Sequence, residues 1–238
     1  MIGAWLPTIL AGIMRHWTSE DGLSTEMIPD STVVMDDAAT ARRKAFVDAA
    51  RELFFANGYA GTTMSSIASK VGGSKTTLWT YFPSKEDLFE AVVDDIVERY
   101  GDALAIDLPL DEPVPDVLRR FGNVLMTKLT ATPLLSLFRL VVGEAERFPH
   151  LSKTFYDRGP RRGKARAADW VAAKMARGEL RPGDPMRAVQ HFSGLCQSGL
   201  YQFAILGMTD PDDVERLQAD VEAAVETFYR GWRPDTAA

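Results

Sequence analysis

Apolar residues recur at intervals of three and four along almost the whole chain, and this helical period is the strongest constraint on what it can fold into. From Ala39, for example, the apolar positions form one stripe that runs from Ala45 to Phe54. No segment shows the alternation expected of a half-buried strand, and no repeat of about 20 to 50 residues is visible. The pattern therefore predicts an all-α chain.

Capping residues and prolines mark where the predicted helices begin and end. Gly58 can adopt the left-handed conformation that ends a helix, Thr63 and Ser74 can cap helix N-termini, and Pro83 prevents continuation. In the first hundred residues these signals predict helices over 39–57, 63–71, 75–81 and 84–100. Beyond a proline-rich linker at 107–115, the predicted helices are 116–130, 133–147, 149–158, 160–177, 185–206 and 211–232.

Composition excludes several classes of protein. The chain has 238 residues, of which 46% are hydrophobic and 25% charged, as in an ordinary globular protein rather than a disordered one. Its single cysteine, Cys196, cannot form an internal disulfide bond. No stretch approaches the roughly 18 apolar residues that a membrane-spanning helix needs. These features indicate a cytoplasmic protein with no membrane partner.

Charge is distributed unevenly along the chain. The formal net charge is −6, yet the segment from Arg42 to Lys85 holds seven basic residues and two acidic ones, a net charge of +5. A compact basic face on an otherwise neutral or acidic protein suits docking on a polyanion. The alternative is a charged surface that only contacts solvent.

Residues 63–82 have the layout of a helix-turn-helix: a short helix, a glycine-containing turn, and a second short helix that begins with polar and basic residues. The period places Leu78 and Phe82 toward the core, so the opposite face of the second helix would enter a major groove. That face carries Lys75, Thr76, Thr77 and Thr80.

Other residues of this segment suit phosphate contact. Thr63 and Ser74 lie at helix N-termini, where free N–H groups favour anions, and Lys85 lies at a third. Trp79 and Tyr81 would offer N–H and O–H donors to the DNA backbone. The alternative is a structural helical hairpin in which the serine and threonine side chains are only caps.

A longer run around this segment carries a family resemblance. It reads Phe54-x3-Gly58-Tyr59-x2-Thr62-Thr63-x3-Ile67-Ala68-x3-Gly72-x-Ser74-Lys75-x-Thr77-Leu78-Trp79-x-Tyr81-Phe82-x2-Lys85-Glu86-x-Leu88. The run resembles the amino-terminal DNA-binding region of TetR/AcrR-family transcriptional repressors. That resemblance implies an all-α homodimer, in which a three-helix head binds DNA and a larger helical body binds a small ligand and pairs with its partner.

The resemblance also implies a division of the chain and a role for each matching residue. Residues 39–83 would be the helix-turn-helix domain, 84–100 a linking helix and 101–238 the ligand-binding and dimerisation domain. Residues 1–38 mix Gly, Pro, Ser, Thr and acidic residues without a sustained period, which by itself predicts a flexible extension. Bases would be read by Lys75, Thr76 and Thr80. Phosphates would be contacted by Thr63, Ser74, Thr77, Trp79, Tyr81 and Lys85.

Two positions depart from the family pattern. Gly73 stands where a branched apolar residue is usual, so we expect the turn to lose a packing contact. Trp79 replaces a tyrosine and retains one indole donor without an acceptor. We expect DNA binding to survive both changes.

The body shows no pattern of catalytic or metal-ligating residues. His16, His150 and His191 are isolated from cysteine and from paired acidic residues, so we predict no catalytic residue, no metal and no cofactor. Cys196 lies on a helix rich in small residues without a basic neighbour, which favours buried packing over a redox sensor.

The apolar residues of the body are sufficient to line a cavity, and the same residues would fill an ordinary bundle core. We predict ligand contact by Phe121, Leu125, Phe138, Val141, Trp170, Phe192 and Gln197. Four polar residues within apolar helices are candidates for orienting a ligand: Arg139, Glu144, His191 and Gln197.

The last two predicted helices, 185–206 and 211–232, suit a dimer interface. Two such helices from each subunit would form a four-helix arrangement about a two-fold axis. The second carries an apolar stripe formed by Val214, Leu217, Val221, Ala224, Val225, Phe228 and Trp232. The alternative is that these stripes pack only within one chain.

Together these features predict a ligand-responsive transcriptional regulator, a repressor, that is not an enzyme. Its partners would be double-stranded DNA with a near-palindromic operator, a small hydrophobic or amphipathic effector, and a second copy of the chain. The sequence leaves open a helical enzyme acting on a hydrophobic small molecule, a DNA binder without a ligand, and an activator in place of a repressor.

Overall fold

A computed structural model of the chain describes residues 31–101, 107–208 and 213–234. The chain divides into two compact units, Met1–Ala39 and Thr40–Ala238. All packing described below belongs to the second unit. Most of the predicted extension, together with the linker residues 102–106 and the predicted helix start at 211, lies outside the described residues.

Within the described ranges the chain forms eleven α-helices and no strand, which confirms the all-α prediction. The helices are α1 (Ser31–Gly61), α2 (Met64–Val71), α3 (Lys75–Tyr81), α4 (Lys85–Gly101), α5 (Val114–Thr130), α6 (Thr132–Glu144), α7 (Pro149–Arg158), α8 (Pro160–Ala176), α9 (Pro185–Cys196), α10 (Leu200–Ile205) and α11 (Val214–Trp232).

The first helix begins at Ser31, eight residues before the predicted start at Ala39. Its regular conformation is interrupted at Gly58, where φ is 75°. Gly58 was the predicted end of this helix, and the positive φ is the reason that glycine is needed there.

Local hydrogen bonds define the short helices of the head, the name used here for residues 40–83. The Thr63 side chain accepts a hydrogen bond from the Ser66 amide at 3.1 Å, and the Ser66 hydroxyl accepts one from the Thr63 amide at 3.2 Å, which forms a capping box. Ser74 caps α3 by accepting from the Thr77 amide at 3.1 Å. These contacts explain why the bounds of α2 and α3 were predictable from neighbouring residues.

Large apolar side chains fill the core of the head. Its buried members come from α1 to α4, and the same cluster extends to Leu137 and Val141 of α6 and Leu151 of α7. They include Phe46, Phe54, Tyr59, Ile67, Leu78 and Leu88.

The body, residues 107–234, has a separate core in which α5, α9 and α11 pack together. A fully buried lysine anchors the proline-rich loop before α5 to this core. The Lys174 ammonium donates hydrogen bonds to the carbonyls of Leu110 at 3.0 Å and Glu112 at 2.8 Å, and to the Glu179 carboxylate at 2.6 Å. Its three donors are therefore all used, which is what the burial of a charged group requires.

The single helix predicted over 185–206 is wrong. The structure breaks it into α9 and α10, with Gly199 at φ −102° and ψ −121° between them. The Asp220 carboxylate of α11 accepts a hydrogen bond from the Leu200 amide at 2.6 Å. A Cβ on Gly199 would lie 2.1 Å from an oxygen of that carboxylate, so the break and the glycine belong to the same contact.

The apolar stripe of α11 packs mainly inside its own chain, so its assignment to a dimer interface is wrong. Six of its seven residues are buried in the body core and Val214 alone is exposed. The physical reason is that α5 and α9 cover this face of α11 within one subunit. A second subunit would have to use the opposite face.

Among the described residues no single helix is both long and apolar enough to span a membrane. Only α5 and α6 taken together, with a bend of 68° between them, meet the requirements of length and composition.

Candidate functional site

The exposed face of α3 carries the residues predicted to read bases. Lys75, Thr76 and Thr80 are exposed, while Leu78 on the opposite face is completely buried. Trp79 leaves 48% of its surface exposed, which is unusual for so large an apolar side chain. The helix therefore projects polar groups and one indole away from a filled core.

The predicted phosphate contacts lie around the same face. Thr63 and Ser74 are exposed at the N-termini of α2 and α3. Thr77 is half-buried, and its hydroxyl shares a 2.8 Å hydrogen bond with that of Ser74. Tyr81 is also half-buried, with its ring centroid 5.9 Å from that of Phe46.

Lys85 has a structural role that its sequence position did not reveal. Its ammonium donates hydrogen bonds to the carbonyls of Tyr59 at 3.0 Å and Thr62 at 3.1 Å, and lies 4.2 Å from the centre of the Tyr59 ring. Burial lowers the pKa of Lys85. Two of its three donors are thus held by carbonyls where α1 meets α2, which leaves one donor for a phosphate.

The expectation that Gly73 costs the turn a packing contact is wrong. A Cβ at Gly73 would lie 2.7 Å from the Arg42 guanidinium and 3.3 Å from the Phe46 ring, so these side chains already occupy the space. Arg42 is thereby placed beside the turn of the helix-turn-helix, and its guanidinium carbon lies 5.6 Å from the Phe46 ring centre. Arg43, also on α1, lies 4.9 Å from the ring centre of Phe82.

Sequence reasoning counted Arg42 and Arg43 only in the net charge of the head. The cation–π contacts hold both next to the recognition elements, which adds positive charge where DNA would lie. The available signal for Arg42 was its position four residues before Phe46 on one helix.

A cavity of about 520 Å³ lies in the body and is lined by residues from each of the helices α4 to α10. Most of its wall is apolar. Its volume is within the range of small-molecule binding sites, about 300–1,000 Å³. The cavity is therefore large enough for a ligand of drug-like size.

Five of the seven predicted ligand contacts line this cavity: Phe121, Leu125, Phe138, Val141 and Gln197. Trp170 and Phe192 do not. Both are buried in the body core, where the Trp170 indole donates a hydrogen bond to the Pro109 carbonyl at 3.1 Å and Phe192 packs edge-on against Phe228.

Three of the four polar candidates are committed elsewhere. Arg139 donates hydrogen bonds to the carbonyls of Ala204 and Ile205 at the end of α10. His191 is exposed and packs against Trp232. Glu144 accepts a hydrogen bond from the Ala60 amide at 2.9 Å.

The cavity also has polar lining residues outside the seven predicted contacts: Ser152, Ser193, Tyr201, Lys128 and Lys164. Ser193 and Tyr201 are buried, and burial raises the pKa of Tyr201 to about 12, so its hydroxyl stays protonated at neutral pH. Ser193 follows the predicted contact Phe192 directly in the sequence. Its position four residues before Gln197 on one helix face was the signal available.

Three helices reach from the cavity to the head or to the linking helix α4. Val141 and Val142 of α6 line the cavity, and the same helix ends at Glu144, which binds the amide of Ala60. The ring of Phe148, just before α7, packs edge-on against Tyr59 at 5.0 Å.

The second connection runs through α4 and α7. Val97 of α4 lines the cavity, and Tyr59 donates a 2.9 Å hydrogen bond to Glu86 in the first turn of the same helix. Arg158 at the end of α7 pairs with Glu90 at 2.7 Å and with Asp94, both on α4. These ion pairs join the C-terminal end of α7 to α4 at a partly exposed site.

No cluster of histidine, cysteine, aspartate or glutamate in the described part of the chain could hold a metal ion. Cys196 is fully buried, and burial raises the pKa of its thiol to about 12. The buried-packing interpretation of Cys196 is therefore confirmed, because a protonated and inaccessible thiol is a poor nucleophile.

Two sequence families match the chain where these two sites lie. Residues 46–92 match the family described as bacterial regulatory proteins, tetR family. Residues 116–234, half of the chain, match the family described as AefR-like transcriptional repressor, C-terminal domain. The chain belongs to the TetR family of transcriptional regulators. Residues 46–92 are the part of the chain that matches the family's helix-turn-helix DNA-binding domain.

Solved structures of TetR-family regulators resemble the whole described fold. The flavonoid-responsive regulator FrrA is 29% identical, with a TM-score of 0.70, and the match covers 83% of this chain and all of that one. A TetR-family regulator from Mesorhizobium loti is 28% identical, with a TM-score of 0.65 and coverage of 82% and 98%.

Curated relatives match over a shorter stretch. The transcriptional regulator RutR of Escherichia coli is 44% identical over 61 residues, which are 26% of this chain and 29% of RutR. The repressor AcnR of Corynebacterium diphtheriae is 30% identical over 105 residues, or 43% of this chain and 55% of AcnR. The chain thus spans about three-tenths of RutR and little more than half of AcnR.

Proposed function

We propose that this TetR-family protein is a repressor that binds a near-palindromic operator as a homodimer and is released by a small hydrophobic or amphipathic ligand. The observation that carries the proposal is the pairing of an exposed recognition helix with a ligand-sized apolar cavity, joined by helices that contact both regions. The cavity favours this function over a DNA binder without a ligand.

The geometry of α3 supports base reading by its N-terminal half. Lys75 and Thr76 are exposed at the start of the helix, which is the end that a recognition helix inserts into the major groove. Thr80 lies one turn later, and its hydroxyl donates a 3.0 Å hydrogen bond to the Thr76 carbonyl, so its lone pairs stay available as acceptors. Thr63, Ser74, Thr77, Trp79 and Tyr81 would then contact the phosphates on either side.

The apolar surface that one chain leaves uncovered supports the proposed homodimer. Phe203, Leu206 and Met208 are 41%, 70% and 68% exposed at the end of α10, and Val214 at the start of α11 is 55% exposed. Such a cluster on one corner is typical of an interaction surface. Pairing through this corner and the outer faces of α9 and α11 would place two heads for successive turns of B-DNA, roughly 34–36 Å apart.

An apolar cavity with a few polar groups supports an effector with the same balance of chemistry. Predicted contacts of that effector remain Phe121, Leu125, Phe138, Val141 and Gln197, which surround the cavity. FrrA is named as flavonoid-responsive, and its whole length matches 83% of this chain. Aromatic molecules are therefore the first class to screen.

The proposed release mechanism is a population shift between two head positions. Operator DNA would favour one position and an occupied cavity the other, so each ligand weakens the other by the same factor. The helices α4, α6 and α7 would transmit the shift, because each contributes residues to the cavity wall and contacts the head or α4.

The test is to select bound sites from random double-stranded DNA with the full chain and then screen small molecules for release of the selected site. We expect a two-fold-related site bound by two chains, with affinity that falls as salt rises. Selection of no preferred sequence, or binding of the site by a single chain, would contradict the proposal.

A further inference from the structure

One wall of the cavity carries three polar residues at a spacing of four. Ser193 and Gln197 lie one turn apart on α9 and its C-terminal end, and Tyr201 follows on α10. We call Ser193, Gln197 and Tyr201 the polar strip. The break at Gly199 lies inside it, so the strip combines two helices held in place by the Leu200–Asp220 hydrogen bond.

Two hydroxyls of the polar strip have no hydrogen-bond partner among the described residues. Tyr201 is 4% exposed and Ser193 is 8% exposed, so both side chains are more than nine-tenths buried. Of the described side-chain oxygens that are fully sealed from solvent, only one, Oδ1 of Asp48, lacks a hydrogen-bond partner. The hydroxyl oxygens of Ser193 and Tyr201 therefore keep some accessible surface, which the cavity beside them provides.

Gln197 contributes a directed amide to the strip. Its Nε2 donates a hydrogen bond to the Ser193 carbonyl at 2.9 Å, which fixes the amide and leaves its Oε1 to accept. Buried polar groups that remain unpaired destabilise a protein, so a ligand that satisfies them gains affinity and one that cannot loses it.

The rest of the cavity favours aromatic rings. Phe121, Phe138 and Phe155 line it, and the Phe138 ring centre lies 6.2 Å from those of both Phe155 and Tyr201. Aromatic rings prefer tilted and edge-on neighbours at such separations, and this arrangement can accept one more ring.

The charged residues that line the cavity are all basic. Lys128 and Lys164 contribute to the wall, and no aspartate or glutamate does so among the described residues. The Lys164 ammonium lies 5.6 Å from the centre of the Tyr156 ring. A wall without carboxylates favours ligand groups that accept hydrogen bonds, as phenol and carbonyl oxygens do.

We infer that the polar strip selects a planar aromatic effector that carries several hydroxyl groups, a polyphenol, and that Ser193, Gln197 and Tyr201 pair with its hydroxyls while the rings lie against Phe121, Phe138 and Phe155. This inference rests on the proposed function, since it names the class of effector. It goes further by assigning specificity to three residues.

The first test compares two matched probes by isothermal titration calorimetry with the full chain. Apigenin is a flavone with three hydroxyl groups, and flavone is the same skeleton without them. We expect apigenin to bind at least tenfold more tightly than flavone, and dodecanoic acid to bind more weakly than apigenin. Equal affinities for apigenin and flavone, or a preference for dodecanoic acid, would overturn the inference.

The second test removes single hydroxyls from the strip. Ser193→Ala and Tyr201→Phe should each weaken apigenin binding about five- to tenfold and leave flavone binding unchanged, as expected for one lost hydrogen bond. Ser198→Ala and Tyr229→Phe remove the same groups outside the cavity and should change neither affinity. If the strip variants weaken both probes equally, the residues only support the fold and the inference fails.

The failure of this inference is distinguishable from failure of the proposed function. Operator selection and two-chain binding are measured without any effector. If the selected operator is released by a small molecule that has no hydroxylated aromatic ring, the repressor proposal stands and the polyphenol inference is overturned.

Discussion

The head and the body bury similar kinds of side chains, but they use packing in opposite ways. In the head, fully buried rings such as Phe46, Phe54 and Tyr59 fill the interior, and the polar residues that would contact DNA project outward. In the body, the helices α4 to α10 surround a cavity of about 520 Å³. In the proposed function, the head therefore binds DNA with its surface, and the body binds the effector in a cavity.

This difference teaches where each site is vulnerable. A filled core holds the recognition helix in one orientation, so the head should respond to mutation as a rigid unit. The cavity walls lack neighbours on one side, so the body can change shape around a ligand at a smaller free-energy cost. The following predictions test that contrast.

The largest effect should come from truncating a ring in each region. Phe54 is fully buried with ring neighbours Tyr59 and Phe89 at 5.4 and 5.9 Å, so Phe54→Ala should lower the free energy of unfolding by about 3–5 kcal/mol. Phe138 lines the existing cavity and is half-buried, so Phe138→Ala should lower it by about 1–2 kcal/mol. Urea denaturation of both variants measures the difference, and equal losses would remove the contrast.

A smaller effect is expected at the head surface. Lys75→Ala should weaken binding to the selected operator by about 1–3 kcal/mol and weaken binding to random DNA much less, as expected for a base contact. Lys153→Ala is the matched control, because Lys153 is exposed on α7 and, among the described residues, pairs with Asp157 alone. Fluorescence anisotropy with both DNAs measures the change. A uniform loss on both would make Lys75 a phosphate contact.

The connection between the two regions should give an effect near 1 kcal/mol. Glu144→Ala removes the acceptor for the Ala60 amide, so the coupling free energy between operator and effector should fall by about 1 kcal/mol. Glu146→Ala, two residues away and exposed, should leave it unchanged. Operator affinity with and without effector gives the coupling for each variant. If the coupling free energy is unchanged in Glu144→Ala, the coupling between operator and effector runs through α4 and α7 instead.

The smallest effect should be a pH dependence of the free energy of unfolding that arises from the ion pairs between α1 and α4. Burial alone would raise the pKa of Asp48, but the Lys44 hydrogen bond and the charges of Lys44, Arg51 and Arg99 outweigh it, so its pKa is lowered. Because the folded pKa is the lower one, the stabilisation is present above about pH 4 and is lost as pH falls through the folded pKa.

Asp48→Asn should therefore reduce the loss of stability between about pH 5 and pH 3, by less than about 1 kcal/mol because the group is partly solvated. The control is Asp169→Asn, since Asp169 is exposed and forms no ion pair with the described residues. Urea midpoints measured across this range test the difference, and identical pH profiles for Asp48→Asn and the unmodified chain would refute it.

Local signals made the head predictable from sequence. The bounds of the helix at 75–81 were predicted from nearby residues, because Ser74 caps its start and Pro83 lies two residues beyond its end. The exposure of Lys75 and the burial of Leu78 follow from helical period alone. The contribution of Arg42 did not follow, since its contact with the turn at Gly73 joins residues 31 positions apart.

The body was less predictable because its decisive contacts are distant in sequence. The break at Gly199 depends on a contact with Asp220, which lies on another helix. The residues next to Gly199 in the sequence do not predict that contact. Period identified which helix faces point inward, but not whether an inward residue meets another helix or an empty space. Phe192 and Ser193 are adjacent and both buried, yet only Ser193 lines the main cavity.

The hydrogen bond between Glu144 and the Ala60 amide has a consequence for how such a regulator can diversify. The group that Glu144 recognises is a peptide N–H, which every residue except proline possesses. Substitutions on the exposed face of α3 could retarget the protein to a new operator without touching this joint. Recognition of DNA and response to the effector can thus evolve as separable traits within a single polypeptide.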